Sequence, residues 1–473
     1  MDIGIMSCGA YLPTYRLERK KAAEAWGRNA IAGERAVANN DEDTVTMAVE
    51  AVRNCVEAPV QAGGLYFAST SAPYTEKMSA VLISAVLDMG REIETADFAQ
   101  SLRAGTAALK AALSAVKAGA AGSIIVAASD TRLGYPKSDL EQEFGDAGAA
   151  LLVGSGEPVA VFEGSCSVIN EMMDVWRNPE DRYVKTWENR FIMTEGYTRQ
   201  LVAAIGGLMK KYSLRKEEIA KVIIPSPDSR SYRSVAQKLG FDPKGAQLQD
   251  ALMASVGFCG AAEPLLLLVA ALEEAKAGDK IIVASYGDGA DALLFTATGK
   301  ALPGKATVRQ MLADKLMINS YSRFLSYKGI LEAQPGEPFR LIPSASVSWR
   351  EQGAILKLHG SKCKQCGAVA YPVQRICEKC YSKDKYEEVR IAEMKGKVFT
   401  FSRDYLAGRS DDPIICQTVV EMDNGMRFYG LMTDCDPGKV ELGMPVELVF
   451  RRIYEGAGFH NYYWKVRPAR RGE

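Results

Sequence analysis

The chain has 473 residues, 47% of them hydrophobic, and its 58 Lys and Arg balance 58 Asp and Glu. That length divides into two or three domains, and a neutral chain is not one that works mainly by coating nucleic acid or an anionic membrane. No run reaches the roughly 18 apolar residues of a membrane span. Met1 to Pro13 leads into a strand without the basic and apolar regions of a signal peptide. A cytoplasmic setting is therefore expected, in which the ten cysteines read as thiols and metal ligands rather than disulfides. The two histidines, His359 and His460, both fall in the last quarter, so residues 1–358 hold no histidine base or ligand.

In chain order, residues 3–12 read as a strand, Thr44 to Val56 as a helix, Gly64 to Thr70 as a short strand and Met78 to Met89 as a helix. A β-branched and apolar run, Ile93 to Phe98, then enters a small-residue turn, and an alanine-rich helix follows over Arg103–Val116. Strand, tight turn and helix form an elbow, the arrangement that holds a nucleophile at a helix N-terminus. Gly122 to Asp130 reads as a buried strand, and Phe144-Gly145-Asp146 turns into another over Ala149 to Val153.

The same order then recurs at an offset of 157 to 159 residues. Lys221 to Ser226 takes the place of Gly64 to Thr70. The helix end at Ala277-Gly278 takes that of Ala118-Gly119, and Ile281 to Ala284 that of Ile124 to Ala127. Three matches in register imply a duplicated α/β half. Under that symmetry Leu102 corresponds to Cys259, each at the start of an equivalent helix. Cys259 has two readings, a thiol near a shared cleft with its pKa lowered by a helix end, or a small buried hydrophobe.

A helix around Val308 to Phe324 is expected to bridge domains, with a Pro- and Gly-rich linker from Glu332. Cys363-x-x-Cys366, ten residues, then Cys377-x-x-Cys380 supplies four soft thiolates for one tetrahedral zinc per chain, closed and therefore structural. His359 is a bystander to that set. The strands expected at 396–402, 415–422, 426–432 and 445–453 fit a small OB-type barrel. Phe459, Tyr462, Tyr463 and Trp464, beside Lys465 and Arg467, read either as a stacking platform for an adenine ring or as packing of the last strand.

Residues 1 to about 325 resemble the thiolase superfamily, nearest to archaeal-type hydroxymethylglutaryl-CoA synthase and more distantly to type III ketoacyl synthase. The resemblance rests on Gly9-Ala10-Tyr11-Leu12-Pro13, Ala104 to Leu109, Ser129-Asp130-Thr131, Phe144 to Ala149 and Ala277-Gly278-Asp279. Residues 345–473 resemble the zinc-ribbon and OB-fold proteins that accompany thiolases in CoA metabolism. The implied fold class is α/β, a duplicated thiolase-like fold followed by a rubredoxin-like zinc ribbon and a small OB-fold barrel. The implied domains are 1–165 and 166–325 for the two halves, 326–354 for a linker, 355–385 for the ribbon and 386–473 for the OB-fold.

The family's catalytic residues do not carry over. Its cysteine position holds Leu102, its glutamate position Thr70, its histidine position Pro225-Ser226 and its asparagine position Phe258. Without a thiolate there is no acyl-enzyme. What survives is carbon–carbon bond chemistry beside a thioester, which needs donors for an enolate and a base for an alkoxide. Degenerate thiolases paired with OB-fold proteins act as retro-aldolases on CoA thioesters, and the resemblance implies that type here, with acyl-CoA as substrate. Cys259, Asp228, Tyr286 and Tyr74 are the expected catalytic groups. The other reading is a silent subunit that scaffolds an active thiolase-fold partner. The resemblance further implies a homodimer or a heterodimer with such a partner, and neither nucleic acid nor membrane as a partner.

Overall fold

The computed structural model describes residues 1–302, 306–332, 342–406 and 414–470. The chain forms two compact units. The first comprises Met1–Ala38, Asp43–Ser84 and Met89–Tyr321; the second comprises Asn39–Glu42, Ala85–Asp88 and Ser322–Glu473. No helix of the described residues is long and apolar enough to cross a membrane.

The first unit is built on strands β1 (Asp2–Tyr11), β2 (Gly64–Ala68), β3 (Glu94–Phe98), β4 (Ser123–Asp130), β5 (Ala147–Gly156), β6 (Ala160–Ile169), β7 (Ile219–Ile223), β8 (Lys280–Tyr286) and β9 (Gly289–Ala297). They join in one nine-stranded sheet of order β7-β8-β9-β6-β1-β5-β4-β2-β3. The two ends mirror each other, since β2 runs parallel to β4 and β7 parallel to β8, while the inner pairs β4–β5 and β8–β9 are antiparallel. The halves meet at β1 and β6 through Gly4↔Val161 and Ile5↔Ala160. The repeat expected from the sequence is thus a repeat of topology. The expected division between 165 and 166 falls inside β6, however. That strand is the counterpart of β1 and opens the second half, so the division lies before Ala160.

Helices α1 (Ala104–Lys117) and α2 (Glu263–Glu274) are equivalent in this repeat. From Glu263 to Leu272 every residue of α2 is buried, because a helix that is apolar nearly all round has no face to give to water. The helix starts approach so closely that a Cβ on Gly105 would lie 2.3 Å from the Ala261 carbonyl oxygen. The single helix expected over 308–324 is instead two, Val308–Ala313 and Tyr321–Tyr327, separated by the short strand Leu316–Met317. Leu316 N–H donates to Thr14 O at 2.9 Å and Ile318 N–H to Arg16 O at 2.8 Å, so pairing to Tyr15 and Arg16 wins over helix continuation.

In the second unit, β10 (His359–Cys363) pairs with β11 (Val369–Ala370) and β12 (Tyr386–Arg390). Since β12 belongs to this sheet, the ribbon extends past the expected limit of 385. β13 (Lys395–Asp404), β14 (Ile415–Met422), β15 (Arg427–Leu431), β16 (Pro445–Gly456) and β17 (Phe459–Pro468) form a sheet of order β15-β14-β13-β16-β17. A bridge between Met432 and Val466 brings its ends together as a small barrel. Of the terminal aromatics, Trp464 is 1% exposed and packs edge-on against Phe450, on which Tyr462 stacks. Trp464 Nε1 donates to Leu356 O at 2.9 Å, and Tyr463 shares a 2.7 Å hydroxyl hydrogen bond with Tyr371. Packing, not an open stacking platform, is what these three residues do. Of the expected linker, residues 333–341 lie outside the described residues, and Ala345–Arg350 and Gln352–Ile355 are short helices.

Gly105→Ala is expected to destabilise the first unit by about 1–3 kcal/mol through overpacking. Gly122, around which a Cβ meets nothing within 4 Å, is the control, with Gly122→Ala expected within about 0.5 kcal/mol of wild type. Urea unfolding monitored by fluorescence compares the two.

Candidate functional site

The segments that shape a cavity in the first unit come from both halves. Helix α3 (Asp139–Glu143) starts at Ser138, whose hydroxyl accepts from Glu141 N–H, and it ends at the Phe144-Gly145 turn. That turn is stitched to the second half: Phe258 N–H donates to Glu143 O at 2.8 Å and Gly145 N–H to Phe258 O at 3.1 Å. Gly257, at φ +98, is needed here because a Cβ would stand 2.8 Å from Glu143 O. The neighbouring Asp130 carboxylate accepts five bonds. Ser69 Oγ (3.0 Å), Thr70 N (2.7 Å), Thr70 Oγ1 (3.0 Å) and Ser71 Oγ (2.7 Å) come from the loop after β2, and Ala261 N (2.8 Å) comes from the turn that leads into α2. A buried carboxylate so fully bonded fixes its donors in place.

The cavity has a volume of about 370 Å³. Its apolar wall includes Leu102 at the elbow, Phe144, Val175, Val184 and Phe258, and its polar groups include Arg132, Glu143, Asp174, Asp228 and Tyr286. Neither a cysteine nor a histidine is among the described residues that line it.

Of the expected catalytic groups, Asp228 and Tyr286 share this cavity. Asp228 also caps the helix Ser229–Lys238, its Oδ1 accepting from Arg230 N–H at 2.8 Å and Ser231 N–H at 2.9 Å. Burial, and then the nearby Asp174 carboxylate, push the Tyr286 phenol upward, so it stays a protonated donor. Cys259 does not join them. It is 1% exposed, lies behind Phe258 and Gly260 without lining the cavity, and donates its thiol to Gly257 O at 3.3 Å. Burial and the Glu263 carboxylate push its thiol well up, opposite to the direction a reactive thiol needs. Tyr74 sits in the loop between β2 and β3 and is not among the lining residues.

Three groups that sequence reasoning passed over stand out. Glu143 is pushed up to about 7, first by burial, then by Asp228 and Asp139, with Arg19 pulling the other way. In the sequence it looks like the end of a solvated acidic run, and only the bridge to Phe258 carries it inside. Glu263 is pushed up to about 8 by burial, against the pull of two backbone donors, Cys259 N–H at 2.8 Å and Ser226 N–H at 3.1 Å. It ties together the segments after Gly257 and after β7. Arg132 follows the Ser129-Asp130-Thr131 motif, and its aromatic neighbours Phe144 and Phe258 come from elsewhere in the chain.

In the second unit the four sulfurs of Cys363, Cys366, Cys377 and Cys380 lie within 4.8 Å of one another. Cys363 and Cys380 are 3.6 Å apart, and Cys366 and Cys377 3.5 Å. A tetrahedral metal–thiolate site has sulfur–sulfur edges of about 3.8 Å, so the donor set fits one ion. Gly367 N–H returns to Cys363 O at 2.9 Å and Tyr381 N–H to Cys377 O at 2.9 Å, which forms a knuckle around each pair. Ser382 Oγ lies 3.2 Å from Cys363 Sγ and 3.3 Å from Cys380 Sγ, placed to orient both ligands. His359 instead faces Asp88 at 2.6 Å and Glu388 at 3.3 Å.

Comparison with known proteins then places the chain. It is 33% identical over 302 residues to hydroxymethylglutaryl-CoA synthase of Pyrococcus furiosus, covering 62% of this chain and 86% of that protein. It is also 33% identical over 349 residues to the enzyme of the same name from Caldivirga maquilingensis, covering 70% of this chain and 99% of that protein. The chain belongs to the hydroxymethylglutaryl-CoA synthase family. Residues 209–295 match the C-terminal family of 3-oxoacyl-[acyl-carrier-protein] synthase III. Residues 388–451 match the family described as ChsH2, C-terminal OB-fold domain. A crystal structure of HMG-CoA synthase complexed with CoA superposes with a TM-score of 0.63 at 19% identity, over 73% of this chain and 95% of that one, a likeness of fold. A thiolase-like α/β domain and an OB-fold are thus fused in one polypeptide, with a four-cysteine cluster of ribbon type between them in sequence.

Elemental analysis of protein purified without chelator is expected to find about one metal ion per chain. Cys377→Ser is expected to drop that content well below one ion and to lower the melting temperature.

Proposed function

We propose that the chain is a CoA-thioester carbon–carbon bond enzyme of the aldol/retro-aldol type that works without an acyl-cysteine. The observation that carries this reading is Glu143, a cavity-lining carboxyl whose pKa of about 7 suits a general base at neutral pH. Its cavity offers no thiol or imidazole for covalent catalysis among the described residues.

In the cleavage direction Glu143 takes the proton of a β-hydroxyl. The bond between the α and β carbons breaks, the β carbon leaves as a carbonyl, and the electron pair moves into the thioester as an enolate. The Tyr286 hydroxyl, held protonated by burial and by Asp174, donates to that developing charge. Protonation of the enolate carbon returns a shorter acyl-CoA. Condensation is the same path reversed. CoA thioesters as substrates are supported by membership of a family whose solved member was crystallised with CoA. The metal at the four cysteines is zinc in this reading, because a closed four-thiolate set holds it for structure.

One observation favours the scaffold reading, namely that Leu102 and Phe258 occupy the cavity wall. They leave about 370 Å³ open, on the scale of an acyl group rather than a filled core, and the enzyme reading takes precedence.

Glu143→Gln is expected to lower turnover of a β-hydroxyacyl-CoA panel by about 10²–10⁴-fold while the circular dichroism spectrum stays native. Because the base acts when ionised, the wild-type cleavage rate should rise with pH through about 7, and the variant should lose that inflection. Absence of turnover by the purified full chain on the whole panel would leave the scaffold reading standing.

A further inference from the structure

The helix that carries Asn189, Ile192, Met193 and Tyr197 to the cavity wall changes its winding part-way. Asn189–Phe191 is α-helical, Ile192–Thr198 is π-helical, and Arg199–Lys211 is α-helical again. A run of π turns is rare, and such turns gather at functional sites. Two side chains satisfy the irregular ladder here. Thr198 Oγ1 donates to Met193 O at 2.7 Å and Gln200 Nε2 to Glu195 O at 3.2 Å, each across five residues.

Gly196 lies in the π-helical segment and is buried. A Cβ on it would stand 2.5 Å from the Tyr286 hydroxyl oxygen and 2.7 Å from Met172 Sδ. Met172 shares a tight turn with Asp174, whose N–H donates to Met172 O at 2.9 Å. The Tyr286 phenol and the turn that bears its Asp174 partner are therefore both seated against one glycine. The next residue, Tyr197, is 2% exposed and meets the Tyr286 ring in a T-shaped contact at 5.5 Å. Its own hydroxyl donates to Pro225 O at 2.8 Å. Consecutive residues thus set the ring plane of Tyr286, through Tyr197, and the reach of its hydroxyl, through Gly196. The contrast with Gly105 is one of kind. There the close neighbour is the backbone carbonyl of Ala261, whereas around Gly196 the close neighbours are side-chain atoms, the nearest a cavity hydroxyl.

A methyl group needs roughly 3.5 Å from its neighbours, so a side chain on Gly196 would drive the Tyr286 hydroxyl back by about 1 Å. An oxyanion donor works at about 2.7–3.1 Å, and a hydrogen bond is lost beyond roughly 3.5 Å. A retreat of about 1 Å therefore separates a working donor from an idle one.

We propose that Gly196 is a positioning residue: the π-helical segment presents it to Tyr286, and its lack of a side chain sets how far the Tyr286 hydroxyl reaches toward the enolate. This rests on the aldol/retro-aldol reading above, in which that hydroxyl is the donor. Gly196 does not line the cavity and acts through Tyr286.

The test reads the phenol directly. The full chain is labelled with fluorotyrosine, and the fluorine resonance missing from Tyr286→Phe is that of Tyr286. Gly196→Ala is expected to move that resonance and to leave those of the exposed Tyr405 and Tyr429 in place. Thr198→Val removes the bond to Met193 O without adding volume and should move the same resonance, which keeps the test readable where Gly196→Ala does not fold. In turnover of the β-hydroxyacyl-CoA panel, Gly196→Ala should lower kcat by about 10²–10³-fold, the scale of one lost oxyanion donor, with KM within threefold. Tyr286→Phe should show the same loss. Adding Gly196→Ala to Tyr286→Phe should change kcat by less than threefold, because no hydroxyl is left to displace and the ring carbon Cζ stands 3.5 Å from the added Cβ. An unmoved Tyr286 resonance in whichever variant folds, a moved resonance with kcat retained, or a further loss beyond threefold in the double variant would overturn the assignment. A moved resonance in a chain whose wild type turns over nothing on the panel would remove the proposed reaction and keep the placement of Tyr286 by Gly196.

Discussion

Two helix starts meet at the centre of the first unit, with Gly105 against the carbonyl of Ala261, and the rest of the cavity depends on that approach. Only a residue without a Cβ lets α1 come so near the turn that begins α2. Asp130 makes the same junction polar: it holds Ala261 N–H on one side and the Ser69 to Ser71 loop on the other. Leu102, Phe258 and Arg132 stand within a few residues of these fixed points. Their positions are therefore set by backbone and buried carboxylate, not by side-chain adaptability.

The elbow brings Leu102, and no nucleophile, to the cavity wall. In the position where a thiol would react stands Leu102, and the cysteine of the equivalent elbow is sealed behind Phe258 with its proton held by burial. The ionisable chemistry has gathered on another wall, around Glu143 and Asp228, with the Tyr286–Asp174 pair also lining the cavity. Burial raises the Glu143 carboxyl, and the two acidic neighbours add to it. One carboxyl therefore stays near its midpoint at neutral pH, in a cavity that offers no imidazole.

Features that depend on short spacing were readable in the amino-acid order. The paired knuckles of Cys363 to Cys380 come together because each pair closes its own local turn, and the duplicated half showed itself because the apolar runs of buried strands cannot vary freely. The elbow over Ile93 to Val116 belongs with them. Features that depend on distant pairing were not readable. Leu316 and Met317 leave the expected helix because Tyr15 and Arg16 offer an edge, which no local pattern announces. Neither Glu143 nor Arg132 lies in a spacing that announces a site. The aromatic box and the raised carboxyl exist only once Phe258 is folded back onto Phe144. Cys259 shows the reverse case: symmetry located its helix end correctly, but not the side of the wall its sulfur would occupy.

The backbone bridge between Glu143 to Gly145 and Phe258 has a mechanical consequence. It ties Phe258 to the segment that bears Glu143 by two backbone hydrogen bonds. A change that shifts Phe258 also shifts Glu143, although one belongs to the second half of the repeat and the other to the first. At this point the two halves of the repeat respond as one piece to any change in packing.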